Sequence, residues 1–276
     1  MQENYENEFE TENMPPLEDA PSIVDRMVGV FTSPAALFEK LAAYPPKVID
    51  WLIPVLIVAA VTILSTFLQM NDPLIVKQMQ DMQMEKAGDQ IESLVEKGWM
   101  TEEAASAQKE KMEEGFSPDS MKSGIAVSSV TIPLFLLAKL FFVALIYFII
   151  ARYILKGQGG YSQSLTVYGA VHYIMALQAL VLLIIVLVTE KITLGTSIAS
   201  LGGFDNTTIL GFLLSKVNIF NLLIMYTVGV GLSKMYHAES AGIYLAVVFG
   251  IWLGGSFVMF LLGNLFPFFY DIAAMM

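Results

Sequence analysis

Four polar residues inside otherwise apolar stretches are the positions at which this chain has the means for chemistry: Lys139, His172, Asn218 and Asn221. A charged side chain in an apolar stretch is costly in a bilayer and often marks a functional site. Lys139 lies in the run PLFLLAKLFF, and no Asp or Glu lies deep in any apolar stretch. One interpretation is a site for an anionic lipid, a substrate or a proton. The other is a lysine that snorkels to the outer headgroups or hydrogen-bonds to an asparagine or a backbone carbonyl.

His172 has no Asp, Glu or Cys close to it in the sequence. A single imidazole cannot hold zinc, which needs three or four protein ligands. We therefore expect His172 to make an interhelical polar contact, with Tyr168 one turn away as a possible partner. The same role is expected for Asn218 and Asn221, which makes these four residues a candidate intramembrane polar site.

No catalytic signature is present in the sequence. It contains no H-E-x-x-H, no G-x-S-x-G and no phosphate-binding loop, the motifs that would indicate a metalloprotease, a hydrolase or a nucleotide enzyme. It also contains no cysteine, which excludes thiolate metal sites and cysteine nucleophiles. The sequence predicts a protein that is not an enzyme and that has no cofactor and no metal.

Five long apolar stretches must position these residues. Each is long enough for a helix to cross about 30 Å of hydrocarbon, and a spanning helix satisfies its own backbone hydrogen bonds. The sequence thus predicts an all-α integral membrane protein with five transmembrane helices. With Arg152 at the inner edge of the second helix, Lys139 is expected about seven residues, on the order of 10 Å, inside the outer edge. The stretches cover roughly 49–70, 130–152, 166–188, 212–233 and 242–265.

The polar segments divide the chain further. Residues 1–20 carry seven acids and no Lys or Arg, which predicts a disordered tail. Residues 21–48 are predicted to form two short amphipathic helices, which lie in the membrane interface or pack against the ends of the spans. Residues 71–124 predict a polar helical hairpin, in which Gly98 ends the first helix and Thr101 starts the second. The remaining region, residues 125–270, is predicted to form a four-helix transmembrane bundle.

Charge gives an orientation and excludes some partners. The net charge of −11 argues against nucleic acid and against a polybasic grip on lipid. Lys and Arg near the span ends favour a cytoplasmic N-terminus and an extracytoplasmic C-terminus in a bacterial cytoplasmic (inner) membrane. An aromatic belt is expected at the inner interface, formed by Trp51, Tyr153, Tyr161 and Tyr236.

The last apolar stretch carries a face of small residues at every fourth position: Gly242, Ala246, Gly250 and Gly254. Small residues let helices approach closely in lipid. This face is expected to pack within the bundle or, alternatively, to form a dimer.

Several segments resemble the Yip family (Yip-one domain), five-span membrane proteins that interact with Ypt/Rab GTPases. They are VFTSPAALFEKLAAYP and WLIPVLIVAAV around the first span, LKGQGGYSQSLTVYGAVHYI after the second, and VNIFNLLIMYTVGVGLSKMYHAESAGIYLAVV over the last two. The resemblance implies a five-helix fold, a cytoplasmic N-terminus and a non-enzymatic role. The D-L-x-G-P motif of eukaryotic members is absent, so the chain is similar to the prokaryotic branch and Rab GTPase binding is not expected. The run IESLVEKGWMTEEAASAQKEKM in the hairpin resembles short C-terminal domains associated with oligomerisation.

Two functions are consistent with these patterns. The first is a membrane scaffold whose partners are the lipid bilayer and either itself or other membrane proteins, because the polar sequence is concentrated in exposed modules. The second is a transporter or channel component with a polar path near Lys139, His172 and Asn218.

Overall fold

The computed structural model describes residues 20–115, 118–193, 195–205 and 208–265, and every regular element within those ranges is helical. The predicted all-α class is therefore confirmed. Nearly all of the expected acidic tail, residues 1–19, lies outside the described residues, as does the end of the expected bundle from 266 onwards. In chain order the helices are α1 (Ile23–Thr32), α2 (Pro34–Ala42), α3 (Ile49–Met70), α4 (Pro73–Glu96), α5 (Glu102–Gly115), α6 (Pro118–Ile149), a π-helix (Ile150–Ile154), α7 (Tyr161–Ala170), α8 (His172–Thr189), α9 (Ile198–Gly202), α10 (Ile209–Lys216), α11 (Ile219–Met235) and α12 (Ala241–Leu265).

Four continuous helical stretches of the described chain are long and apolar enough to cross a membrane. They are α3, the stretch Ala126–Ile154 of α6 and the π-helix, the stretch Tyr161–Thr189 of α7 and α8, and Ala241–Gly263 of α12. The second and third extend past the predicted 130–152 and 166–188. The third begins earlier because polar side chains near its start find hydrogen-bond partners within the protein. The Ser164 hydroxyl, for example, lies 2.7 Å from the Tyr236 hydroxyl.

The fourth predicted stretch, 212–233, is not one continuous helix. It is divided into α10 and α11, which meet at an angle of 60°, so the number of spans is four, or five if the bent pair crosses together. The break occurs because Asn218 starts a new helix, and its Oδ1 accepts a hydrogen bond from the Phe220 N–H at 3.0 Å. An asparagine at this position satisfies backbone donors that a continuous helix would pair internally.

The core forms where α3 packs against α6, α7 and α8, and where α11 packs against α12, α2 and α7. Glycines permit the closest approaches. A Cβ on Gly169 of α7 would overlap Trp51 of α3, and one on Gly231 of α11 would lie 2.8 Å from both Phe38 and Val167. Close backbone approach replaces the hydrophobic driving force that helices lack in lipid.

Much of the outer surface of the bundle is apolar. On α6, Val130, Leu134, Phe135 and Phe142 each expose more than half of their side-chain area. Monomeric soluble proteins rarely expose contiguous apolar patches of this kind. The surface is compatible with a membrane protein.

The segment between α3 and α6 is a helical hairpin. Asp72 caps α4 by accepting a hydrogen bond from the Leu74 N–H at 2.9 Å, and Gly98 ends it with a φ of +71°, which glycine adopts without strain. The side-chain amide of Gln78 fixes the hairpin to the loop after α8. It donates to the Glu190 carbonyl at 2.7 Å and accepts from the Ile192 N–H at 3.1 Å.

Replacing Gly169 with alanine tests the contact between α3 and α7. We expect Gly169→Ala to destabilise the protein by about 1–3 kcal/mol, because the added methyl group overpacks against Trp51. The midpoint of thermal unfolding in detergent measures the loss. Gly250→Ala is the matched control, since a Cβ there meets no atom within 4 Å. Equal unfolding midpoints for the two variants would contradict this packing.

Candidate functional site

Lys139 lies near the middle of its candidate span. It is thirteen residues from Ala126 and fifteen from Ile154, or about 20 Å from either end of this helical stretch at 1.5 Å per residue. The stretch of 29 residues is longer than the roughly 20 residues that cross the hydrocarbon, so the expected depth of about seven residues inside the outer edge stays a prediction.

Lys139 makes no hydrogen bond and no ion pair with another residue in the described part of the chain. The expected hydrogen bond to Asn218 or Asn221 is absent among those residues. Desolvated charges are costly unless paired, so Lys139 is a position at which the structure leaves a strong donor available.

His172 is buried at the first position of α8. Its Nδ1 lies 2.9 Å from the Tyr168 carbonyl and 3.1 Å from that of Gly169. Because both partners are acceptors, Nδ1 carries the proton and Nε2 is left as an acceptor in the neutral ring. Both carbonyls belong to the preceding turn of the same span, so these two hydrogen bonds are local, and the predicted interhelical contact stays a prediction.

His172 lies in a cluster of aromatic side chains in the apolar core. The Tyr168 ring packs edge-on against His172 with centroids 5.5 Å apart, and Tyr147 of α6 lies 6.0 Å from Tyr168. The described residues contain no group of three or more potential metal ligands. The cluster offers hydroxyl and imidazole groups, and no hydrogen bond or ion pair between described residues joins Lys139 to it.

Asn218 belongs to a different network. Its side-chain amide donates to Thr196 Oγ1 at 3.0 Å, and Gln178 of α8 donates to the same oxygen at 3.1 Å. This network ties α8 and α11 to the loop before α9. No hydrogen bond between described residues joins Asn218 or Asn221 to Lys139 or His172. The described residues therefore show no hydrogen-bonded site made of all four predicted residues, and Asn218 belongs to a structural network.

The small-residue face of α12 does not pack inside the bundle. Gly242, Ala246, Gly250 and Gly254 are exposed, and a Cβ added to Gly250 or Gly254 would meet nothing within 4 Å. The glycine of this region that does permit close approach is Gly229 of α11, which contacts Leu245. Packing within the bundle is therefore not the role of this face, and a dimer stays a prediction.

A buried ion pair at the start of α3 was missed by the sequence reasoning. Arg26 of α1 donates to Asp50 Oδ1, and the two side chains are only 12% and 5% exposed. The other Asp50 oxygen accepts from the Lys47 N–H at 2.7 Å, and Arg26 Nε donates to the Pro21 carbonyl at 2.8 Å. The pair fixes α1 to the first span. Asp50, an acid at the edge of an apolar stretch, is the signal that could have revealed it.

Tyr236 organises the loop between the second and third spans. It is fully buried rather than part of the expected aromatic belt. Its hydroxyl donates to the Gly160 carbonyl at 2.8 Å, and its own carbonyl accepts from the Gln158 N–H at 2.9 Å. A Cβ on Gly159 would lie 2.7 Å from the Tyr236 ring. Burial raises the pKa of Tyr236 to about 12.

A second ion pair joins the end of α11, close to Tyr236, to α2. Lys234 Nζ lies 2.6 Å from Glu39 Oε2. The hydrogen bond and the charge of Lys234 hold the pKa of Glu39 below its usual value. Glu39 is largely exposed, so solvent screens the pair and its contribution to stability is small.

No protein-family model, no curated protein and no solved structure matches this chain. The resemblance to the Yip family is neither supported nor refuted by these comparisons and stays a prediction.

The Arg26–Asp50 pair is expected to matter more than the Glu39–Lys234 pair. Asp50→Asn should destabilise the protein by about 3–5 kcal/mol, because it leaves the Arg26 charge buried without a partner. Glu39→Gln is the control and should change stability little. Chemical denaturation followed by circular dichroism compares them. If the two variants unfold at the same denaturant concentration, the assignment of Arg26–Asp50 as the anchor of α1 fails.

Tyr236→Phe is expected to destabilise the protein below pH 10 by about 1–3 kcal/mol, because the Gly160 carbonyl and the Ser164 hydroxyl lose their partner. The folded-state pKa of Tyr236 lies above the unfolded value of about 10. Its stabilisation is therefore complete below pH 10 and is lost as the pH rises towards 12. Unfolding midpoints of both proteins across this range measure the effect. A constant difference from pH 8 to pH 12 would contradict it.

Proposed function

We propose that this chain is a multi-pass membrane protein that acts as a non-enzymatic scaffold through its polar hairpin. The observation that carries the proposal is the way α4 and α5 are held. Both the nitrogen and the oxygen of the Gln78 side-chain amide hydrogen-bond to the loop after α8, whereas α5 is exposed from Glu102 to Lys111 apart from Ala105. A polar helix fixed at its base but open along its sides is suited to bind another protein.

The amphipathic helices before α3 would hold this scaffold at the membrane interface. Ile23, Val24, Met27 and Val28 of α1 are exposed, whereas Val30 is fully buried. A helix with an apolar face that points outwards beside a span is stabilised when that face enters the boundary between headgroups and acyl chains. We therefore propose that α1 lies in the interface and that Arg26–Asp50 sets its position there.

The proposed location is a bacterial cytoplasmic membrane, with the N-terminus in the cytoplasm and the bent pair α10–α11 as the fourth of five spans. The support for this orientation is the distribution of Lys and Arg near the span ends. Partners would be other membrane proteins or a second copy that contacts the exposed Gly242–Gly254 face. A prokaryotic Yip-like protein without Rab binding fits the same description.

In-cell photo-crosslinking tests the scaffold. A photoreactive residue at Glu103 or Lys109, both exposed on α5, should yield the same crosslinked protein in repeated experiments. A probe at Phe142, which is 65% exposed on the apolar face of α6, is the control and should yield lipid adducts. If the α5 probes recover no reproducible protein, neither this chain nor another, the scaffold proposal fails.

A transport role is the second candidate, and the observation that favours it is Lys139. An ionisable residue at mid-span without a partner is the usual mark of a substrate or proton path. Lys139→Met retains most of the side-chain volume and removes the charge. If the protein transports an anion or a proton, this variant should lose flux in proteoliposomes.

The same variant separates the two functions. For a scaffold, Lys139→Met should retain crosslinking from α5 and should unfold at the same or a higher temperature than the native protein, because an unpaired buried charge has been removed. Native protein that shows no flux of anions or protons would eliminate transport.

A further inference from the structure

An open recess of about 640 Å³ lies where the π-helix meets the loop before α7. Its lining combines one cation, two side-chain amides, two glycines and one aromatic ring. The lining residues are Phe148, Arg152, Gln158, Gly159, Gly160 and Gln163.

Arg152 supplies a positive charge that the protein does not neutralise. One guanidinium nitrogen donates to the Gly157 carbonyl at 3.0 Å, which holds the side chain beside the recess. No carboxylate in the described ranges forms an ion pair with it. The guanidinium has five N–H donors in a planar fork, so a pair of donors is available to a bidentate anion.

The loop before α7 adds hydrogen-bond donors next to this fork. The Tyr236 ring packs against Gly159, where a Cβ would lie 2.7 Å from it, and this contact fixes the course of the loop. The Gly160 N–H is bound to Gln163 Oε1 at 3.0 Å, which leaves the amide nitrogen of Gln163 as a donor. The Gln158 side chain is exposed and adds a further amide.

An aromatic wall borders the polar part of the recess. Phe148 packs edge-on against Tyr153 and Tyr161, with centroids 5.7 and 6.0 Å away. Tyr153 and Ile154 are each at least 60% exposed. A cation next to exposed apolar side chains fits a ligand with an anionic head and an apolar tail.

The recess is also at the right height for a lipid headgroup. Arg152 lies two residues from Ile154, where the second candidate span ends, and it belongs to a π-helix, an element often found at functional sites. We propose that this recess binds a phosphate group, namely that of an anionic phospholipid. The proposal rests on the membrane location proposed above but not on the scaffold role.

Native mass spectrometry of the delipidated full-length protein tests this site. The probes are phosphatidylglycerol, phosphatidylcholine with the same acyl chains, and inorganic phosphate. The native protein should retain phosphatidylglycerol in preference to phosphatidylcholine. Arg152→Gln should weaken phosphatidylglycerol binding by about tenfold or more, because a charge-assisted bidentate contact is lost.

Lys156→Gln is the matched control. It removes the same charge from a residue four positions further along the chain, whose side chain does not line the recess. It should leave phosphatidylglycerol binding within about twofold of the native value, as expected for a screened surface charge. Arg152→Lys should bind with intermediate affinity, because it retains the charge but not the fork. If Arg152→Gln fails to fold, Gln158→Ala should still weaken binding, by a smaller factor.

Competition distinguishes the source of the phosphate. Excess inorganic phosphate that leaves phosphatidylglycerol bound supports a lipid site. Inorganic phosphate that binds alone and is lost in Arg152→Gln shows a site for a soluble phosphate compound and overturns the lipid assignment. Equal phosphatidylglycerol affinities for the native protein, Arg152→Gln and Lys156→Gln would overturn the proposal entirely. Crosslinking from α5 is independent of all these results, so failure here is distinguishable from failure of the scaffold.

Discussion

Hydrocarbon offers no hydrogen bonds, and this constraint explains the buried polar contacts that join the helices of this chain. A polar side chain in the bundle is stabilised when it finds a partner within the protein. Asp50 meets this requirement with Arg26 and the Lys47 N–H, and Tyr236 meets it with Ser164 and the Gly160 carbonyl. The Arg26–Asp50 pair and the contacts of Tyr236 join elements that are distant in sequence. The polar residues therefore determine which helices meet, while glycines determine how closely they approach.

Part of the fold could be predicted from the sequence because apolar length is a direct physical requirement of spanning. The limits of α3 agree with the predicted 49–70, and α12 begins one residue before the predicted 242. The bend at Asn218 could not be predicted in the same way, because apolarity averaged over a window does not show one backbone-capping side chain. The full lengths of the second and third candidate spans could not be predicted for a related reason, since polar residues such as Ser128 and Ser162 lie within helices that continue past the apolar stretches.

The candidate site was predictable in its residues but not in its arrangement. Lys139 and His172 are identified by polarity in apolar sequence, but no hydrogen bond between described residues joins them. Asn218 is also a polar residue in an apolar stretch, but its side chain caps α11 and donates a hydrogen bond to Thr196. Only the hydrogen-bond partners, which depend on tertiary contacts, distinguish a polar residue that stabilises the fold from one that can still bind a ligand. Among the residues considered for function, Lys139 and Arg152 form no ion pair with a described residue. Lys139 lies near the middle of a candidate span, and Arg152 lies near the end of the same span.

The account depends most on α10 and α11 crossing the membrane as one bent span. The chain contains no cysteine, so single cysteines at the exposed positions Lys109, Lys156, Lys191 and Glu239 can be labelled with an impermeant thiol reagent in sealed vesicles. Five crossings predict that positions 109 and 191 react from one side and positions 156 and 239 from the other. Labelling of 191 and 239 from the same side would contradict the account, because α10–α11 would then enter and leave by one face.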